Sequence, residues 1–181
     1  DSPDSVEPLS HFPPGLPVVL AAPTALGADP VQSARAVNAL AAFAVILAVF
    51  LLVSAATARA PGHGRLAGAT AAVLLAVTPG VGYVFMDVLS EPLFLVLMVA
   101  VLAMMAAPRG RPLAVGLVAA GATMVRYAGV ALVMAAAVWW ALAPGTLGQR
   151  LRRAVTAGAP GVLALGGWMI RTHIVTHGEG I

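Results

Sequence analysis

Charge is confined almost entirely to the gaps between long apolar stretches, and the gaps alternate in sign. Asp1, Asp4, Glu7 and Asp29 precede the first long apolar run, Asp87 and Glu91 sit in the second gap after it, and Glu179 lies beyond the last run. The gaps between these hold no acid but seven of the ten arginines: Arg59 and Arg65, then Arg109 and Arg111, then Arg150, Arg152 and Arg153. A helical membrane protein has this pattern, because arginine gathers in cytoplasmic loops. The acids then fall on the opposite, external face. Only 9% of the residues are charged and 60% are apolar, whereas a soluble domain is about a quarter charged. Several runs approach the roughly 20 helical residues that cross a ~30 Å hydrocarbon core. A transmembrane β-barrel would need alternating polar and apolar positions, and the run from Ala39 to Val53 does not alternate.

The formal charge of +3 does not point to nucleic acid, since the arginines are spread over separate loops and form no basic face. Cysteine is absent, which excludes disulfides and thiolate metal sites. Lysine is absent too, while Ala, Gly, Pro and Arg abound, as in proteins from GC-rich genomes. The chain starts and ends in polar loops. It reads as a segment of a longer protein, with at least one span before it.

The expected fold class is all-α, a polytopic transmembrane helical bundle of about six spans with an external juxtamembrane segment. Residues 1–32 form an external loop and an interfacial or re-entrant stretch, because Leu16 to Leu26 is apolar but too short to span and is interrupted by Pro17 and Pro23. Residues 33–174 form the bundle, and 175–181 begin another external loop. Ser33 is the expected cap of the first span, about 34–58. The second span is about 66–86, broken at Thr78-Pro79-Gly80. The third, about 92–107, opens on Pro92, which the first helical turn tolerates. Residues 113–142 would be ~45 Å long as one helix. A central, uncompensated Arg126 would cost about 2.5–3.5 kcal/mol on insertion scales. Two short spans with a turn at Arg126-Tyr127-Ala128-Gly129 are therefore expected, followed by a last span over about 155–170. Short or broken helices at membrane depth need a protein-lined or watery cavity, and these breaks lie on the external side.

Four places can carry chemistry. In Ser10-His11-Phe12-Pro13-Pro14-Gly15 the prolines would hold the His11 imidazole at a fixed height, able to bind a phosphate or orient a carboxylate; the plainer reading is a stiff interfacial turn. Asp87 and Glu91, four residues apart, would share a helical face and could bind a cation, orient sugar hydroxyls or act as a base. Alternatively Ser90-Glu91-Pro92 is a helix start, with Ser90 as its cap. Arg126 beside Tyr127 could grip a lipid-linked phosphate in bidentate fashion, or snorkel to headgroups. Arg171-Thr172-His173 with His177 has the i, i+4 histidine spacing of a metal site, to which Glu179 could add, but Gly178 and Gly180 favour a loop. Trp139, Trp140 and Trp168 suit the ends of spans. Arg35 suits a headgroup or Asp29, and His63 has no expected chemical role.

The succession SHFPPGLPVVLAAPTALG, then DVLSEPLFLVLMVAVL, then GLVAAGATMVRYAG, then GGWMIRTHIVTHGE resembles bacterial multi-spanning glycosyltransferases of the GT-C type, of the dolichyl-phosphate-mannose protein mannosyltransferase-like and ArnT-like kind. The likeness covers nearly the whole chain. It implies transfer of a sugar, usually with inversion, from a polyprenyl-phosphate donor to a lipid, glycan or protein acceptor at the external face of the plasma membrane. On this resemblance Asp87 and Glu91 are site carboxylates, and the main base lies upstream of residue 1. His11, Arg126 and, more weakly, Arg171 bind the donor. A divalent metal is used by some members and not by others, and nucleic acid plays no part. A transporter or flippase fragment, or a non-catalytic membrane subunit, is the alternative. Transporters favour inverted repeats and ionisable residues near the midplane, and the sequence shows neither a repeat nor midplane acids.

Overall fold

The computed structural model describes residues 12–57, 63–86, 89–107 and 111–176. All regular structure among them is helical: α1 (Gly15–Ala25), α2 (Pro30–Ala56), α3 (His63–Val77), α4 (Pro79–Met86), α5 (Glu91–Ala106), α6 (Pro112–Val125), a 3-10 turn (Tyr127–Gly129), α7 (Val130–Leu142) and α8 (Leu147–Val175). The chain divides into two units, Asp1–Leu16 with Gly110–Ile181, and Pro17–Arg109. The boundary falls inside α1, after its first two residues.

The all-α expectation holds. The span count of about six is not supported by helix length and composition. Among the described residues only α2 is by itself long and apolar enough to cross a membrane. Helices α3 and α4 satisfy that condition only together, and they are bent by 68°. The bend sits where Pro79, lacking an N–H, cannot continue the hydrogen-bond ladder. Helices α1, α5, α6 and the segment Tyr127–Leu142 are apolar but shorter, short of the ~20 residues of an untilted span. Helix α8 is long enough, but it carries Arg150, Arg152, Arg153 and Arg171.

Several boundaries also differ from expectation. Asp29, not Ser33, caps α2. Its carboxylate accepts from the Gln32 N–H at 2.8 Å, and Pro30 stands at the first helical position, where its missing N–H costs nothing. Ser33 is instead a buried residue within the helix. Helix α3 begins at His63, before the expected start of the second span at about 66. The last helix is longer at both ends than 155–170. It starts with a capping box, in which Gln149 N–H bonds the Thr146 hydroxyl and the Thr146 N–H bonds the Gln149 side chain.

In the unit Pro17–Arg109, α2 packs against α3, α4 and α5. The buried stripe of α2 is Ser33, Ala34, Asn38, Ala41 and Val45, one face at helical spacing. Close packing of α3 depends on Gly68, where a Cβ would lie 2.6 Å from the Phe50 carbonyl oxygen.

In the other unit α6, α7 and α8 pack mutually, and the contacts fix their directions. Gly116 lies on Ala157, and Tyr127 bonds Trp168. Both pairs are separated by 41 residues, so α6 and α8 run parallel. Val133 meets Gly161 and Ala137 meets Gly158, a falling register that makes α7 antiparallel to α8. Small residues permit these approaches: Gly116, Ala119, Ala120 and Ala122 are buried on α6, and Ala157 and Gly161 on α8. The parallel pair brings like ends together. Arg111 joins Arg152 and Arg153 at one end, and Arg126 joins Arg171 at the other. Arg152 and Arg171 are nineteen residues apart on α8, a rise of about 28 Å.

Candidate functional site

Helix α6 stops where the sequence reading places the turn. Arg126 is extended, with φ −149° and ψ 139°. Its N–H still bonds the Ala122 carbonyl at 2.9 Å, and its carbonyl accepts from the Gly129 N–H at 2.8 Å. The 3-10 turn folds back so tightly that a Cβ at Gly129 would lie 2.6 Å from the Thr123 Cα. Only glycine fits there without displacing the end of α6. Thr123 is fully buried, and its hydroxyl bonds the Ala119 carbonyl at 3.0 Å. Arg126 therefore leaves from a rigid helix end, half-buried.

Two further elements reach this point. From α8, the Trp168 indole N–H donates to the Tyr127 hydroxyl at 3.1 Å. One turn on, the Arg171 guanidinium stacks over the Trp168 ring, 4.9 Å from its centroid, where the ring's negative face attracts it. From the start of the chain, Pro13 is buried and Gly15 lies against α6. A Cβ on Gly15 would be 2.6 Å from the Met124 carbonyl oxygen and 2.7 Å from a Val125 methyl. The Pro-Pro-Gly stretch thus docks on the two residues preceding Arg126. Two of the candidate donor-binding residues, Arg126 and Arg171, consequently belong to one end of one unit, joined by a Tyr–Trp pair. Such an end offers planar cationic donors suited to a phosphate, beside aromatic surface suited to an apolar carrier or a sugar face.

Glu91 lies in the other unit. It opens α5 with Pro92 at the next position, fully buried. The helix-start reading of this motif is seen, except that the Ser90 hydroxyl makes no capping hydrogen bond. Carboxylate oxygen Oε2 of Glu91 is buried, as befits a group that points into protein. His11 and Asp87 lie outside the described residues, as do His177 and Glu179. Arg171, Thr172 and His173 are helical rather than in a loop, with Thr172 buried and His173 exposed. Among the described residues no group of three or more His, Asp or Glu side chains gathers that could hold a metal.

The sequence reading missed two features. Asn38 is 1% exposed in the middle of the buried stripe of α2. A lone amide in an apolar run was the available signal, because a polar side chain at membrane depth turns toward protein. The Tyr127–Trp168 pair had no local signal at all. Comparisons with protein-family models, with characterised proteins and with solved structures return no match.

Proposed function

We propose that the chain belongs to an integral-membrane glycosyltransferase that moves a hexosyl or pentosyl group from a polyprenyl-phosphate donor to a lipid, glycan or protein acceptor, outside a bacterial plasma membrane. The observation carrying this reading is the cationic end built from Arg126, Tyr127, Trp168 and Arg171. Its distance from the Arg111–Arg152–Arg153 end, about 28 Å along α8, supports a bilayer setting, since it matches a hydrocarbon core of ~30 Å. The end richer in arginine is then cytoplasmic, and Arg126 and Arg171 face outside. In this setting α2, the bent α3–α4 pair, α5, α6, α7 and α8 make up the bundle of about six spans. The shorter helices tilt little or end in protein-lined space.

The chemistry follows from charge. The bond between the anomeric carbon and the donor phosphate oxygen breaks, and the polyprenyl phosphate leaves with an added negative charge. Arg126 and Arg171 stabilise that charge as it develops. The acceptor oxygen bonds to the opposite face of the anomeric carbon, inverting it, and loses its proton to a carboxylate. By the resemblance alone, Asp87 and Glu91 are assigned as site carboxylates and His11 to the donor phosphate.

The test is transfer of radiolabelled sugar from polyprenyl-phosphate donors in proteoliposomes carrying the full chain. Arg126→Ala should lower turnover by roughly 10²-fold, the usual cost of one transition-state donor. Arg171→Ala and Glu91→Gln should lower it as well, with membrane insertion retained. Wild-type turnover in all three variants, or no binding of the donor by the unaltered protein, refutes the proposal.

A further inference from the structure

The opposite end of the same unit holds a second group of arginines, used above only to orient the chain. Arg111, Pro112, Leu113, Arg152, Arg153 and Thr156 line an open cleft of about 380 Å³. The parallel course of α6 and α8 creates it by setting the start of α6 beside the second and third turns of α8.

The cleft lacks an internal counter-charge. No acidic residue occurs between Glu91 and Glu179, so the helices that form it contribute none. The guanidinium groups of Arg111 and Arg152 have no hydrogen-bond or ion-pair partner among the described residues, whose bonds to these two arginines go to the backbone carbonyls. Arg153 uses one N–H, at Nη1, to bond the Pro144 carbonyl at 3.1 Å, which positions the guanidinium and leaves its other donors available. Arg150 is occupied differently: its Nε–H bonds the Ala141 carbonyl at 2.5 Å and ties α8 to the end of α7. The N-terminus of α6 opens here too, with no side-chain cap, and adds the positive end of its dipole. Leu113 and Pro112 supply apolar wall beside the cations.

We propose that this cleft binds the phosphate of an anionic phospholipid, with Arg111, Arg152 and Arg153 on the phosphate oxygens and Pro112 and Leu113 against the start of the acyl chains. A phosphodiester offers the oxygens that planar guanidinium groups grip in pairs. The apolar wall fits a lipid better than a free phosphate. The site rests on the bilayer setting proposed above but not on sugar transfer, so an enzyme-negative result leaves it standing.

The experiment uses the full chain in mixed micelles of neutral detergent, with phosphatidylglycerol or phosphatidylcholine added and bound lipid counted by native mass spectrometry. The protein should retain phosphatidylglycerol in preference to phosphatidylcholine. Arg111→Gln with Arg152→Gln should weaken that retention roughly tenfold or more for each lost charge-assisted hydrogen bond. Arg59→Gln with Arg65→Gln removes the same charge from residues that are not among those lining the cleft and should leave retention unchanged. Millimolar glycerol phosphate should not displace the lipid. No preference in the unaltered protein overturns the proposal, whether or not the variants fold. Equal loss in the two double variants overturns it as mere surface charge. Displacement by glycerol phosphate overturns the lipid assignment in favour of a soluble phosphate.

Discussion

Replacing Gly116 by alanine adds one methyl group where α6 crosses α8. A Cβ there would lie 3.0 Å from the Ala157 carbonyl carbon and 3.2 Å from its Cα, and closer still to the carbonyl oxygen. Carbon atoms rest at about 3.5–4.0 Å, so the helices must separate by roughly 0.5–1 Å. The obstacle is backbone inside a helix, so no side-chain rotation relieves it. Overpacking of this kind costs about 1–3 kcal/mol. Alanine is also the better helix former by ~1 kcal/mol, which partly masks the cost. Gly121 on the same helix removes that ambiguity, because a Cβ there meets nothing within 4 Å. Gly121→Ala should gain the propensity term alone. The difference in stability between the two variants therefore isolates the steric term, about 1–3 kcal/mol in favour of Gly121→Ala. Reversible unfolding in mixed micelles, followed by helical circular dichroism, measures it. If Gly116→Ala proves as stable as Gly121→Ala, α6 and α8 do not cross at Ala157, and the parallel register deduced from that contact is wrong.

Other consequences can be checked with single substitutions. Gly15→Ala should lift the Pro-Pro-Gly segment from Met124 and Val125, raising the KM for the donor more than it lowers kcat; unchanged kinetics would dissociate that segment from the Arg126 end. Asp29→Ala removes the α2 cap and should cost about 1 kcal/mol, read from the same unfolding curves, with Asp29→Asn retaining most of the stability. In a double-mutant cycle, Tyr127→Phe and Trp168→Phe should couple by about 0.5–1.5 kcal/mol, and additive effects would deny the hydrogen bond. A cysteine replacing Leu147, which is 79% exposed, should resist an impermeant thiol reagent added outside intact cells, while one replacing Ser90 should react; the reverse pattern inverts the proposed topology.

What could be read from the sequence was whatever local chemistry dictates. Pro79 forced the bend between α3 and α4, and Pro92 after Glu91 announced the start of α5. Arg126 stood out because an apolar run of thirty residues could neither span as one helix nor bury that charge, and the chain does break there. The extension of α8 through Arg150, Arg152 and Arg153 was missed. Charge suggested a loop, although arginine is a good helix former and Thr146-x-x-Gln149 was a legible capping box. The cap of α2 was misplaced because Ser33 is a favoured cap residue, whereas Asp29 is an equally good one and Pro30 after it, at the first helical position, is also a start signal. The docking of Gly15 on α6 and of Trp168 on Tyr127 joins residues far apart in the chain, and no spacing rule reaches that distance. The apolar runs identified helices but overstated how many are long enough to cross a bilayer singly.

In the proposed bilayer setting the arginines of α8 also have a consequence for the surrounding lipid. Cations at Arg152 and Arg171, about 28 Å apart, hold the helix from both sides. Sliding by one turn, 5.4 Å, would draw one guanidinium into hydrocarbon while lifting the other into water. A thicker bilayer would have to thin locally around this helix, and a thinner one would leave apolar turns wet, at fractions of a kcal/mol per Å. In a bilayer, α8 thus acts as a gauge, tying the height of Arg171 above the membrane to the length of the surrounding lipid chains.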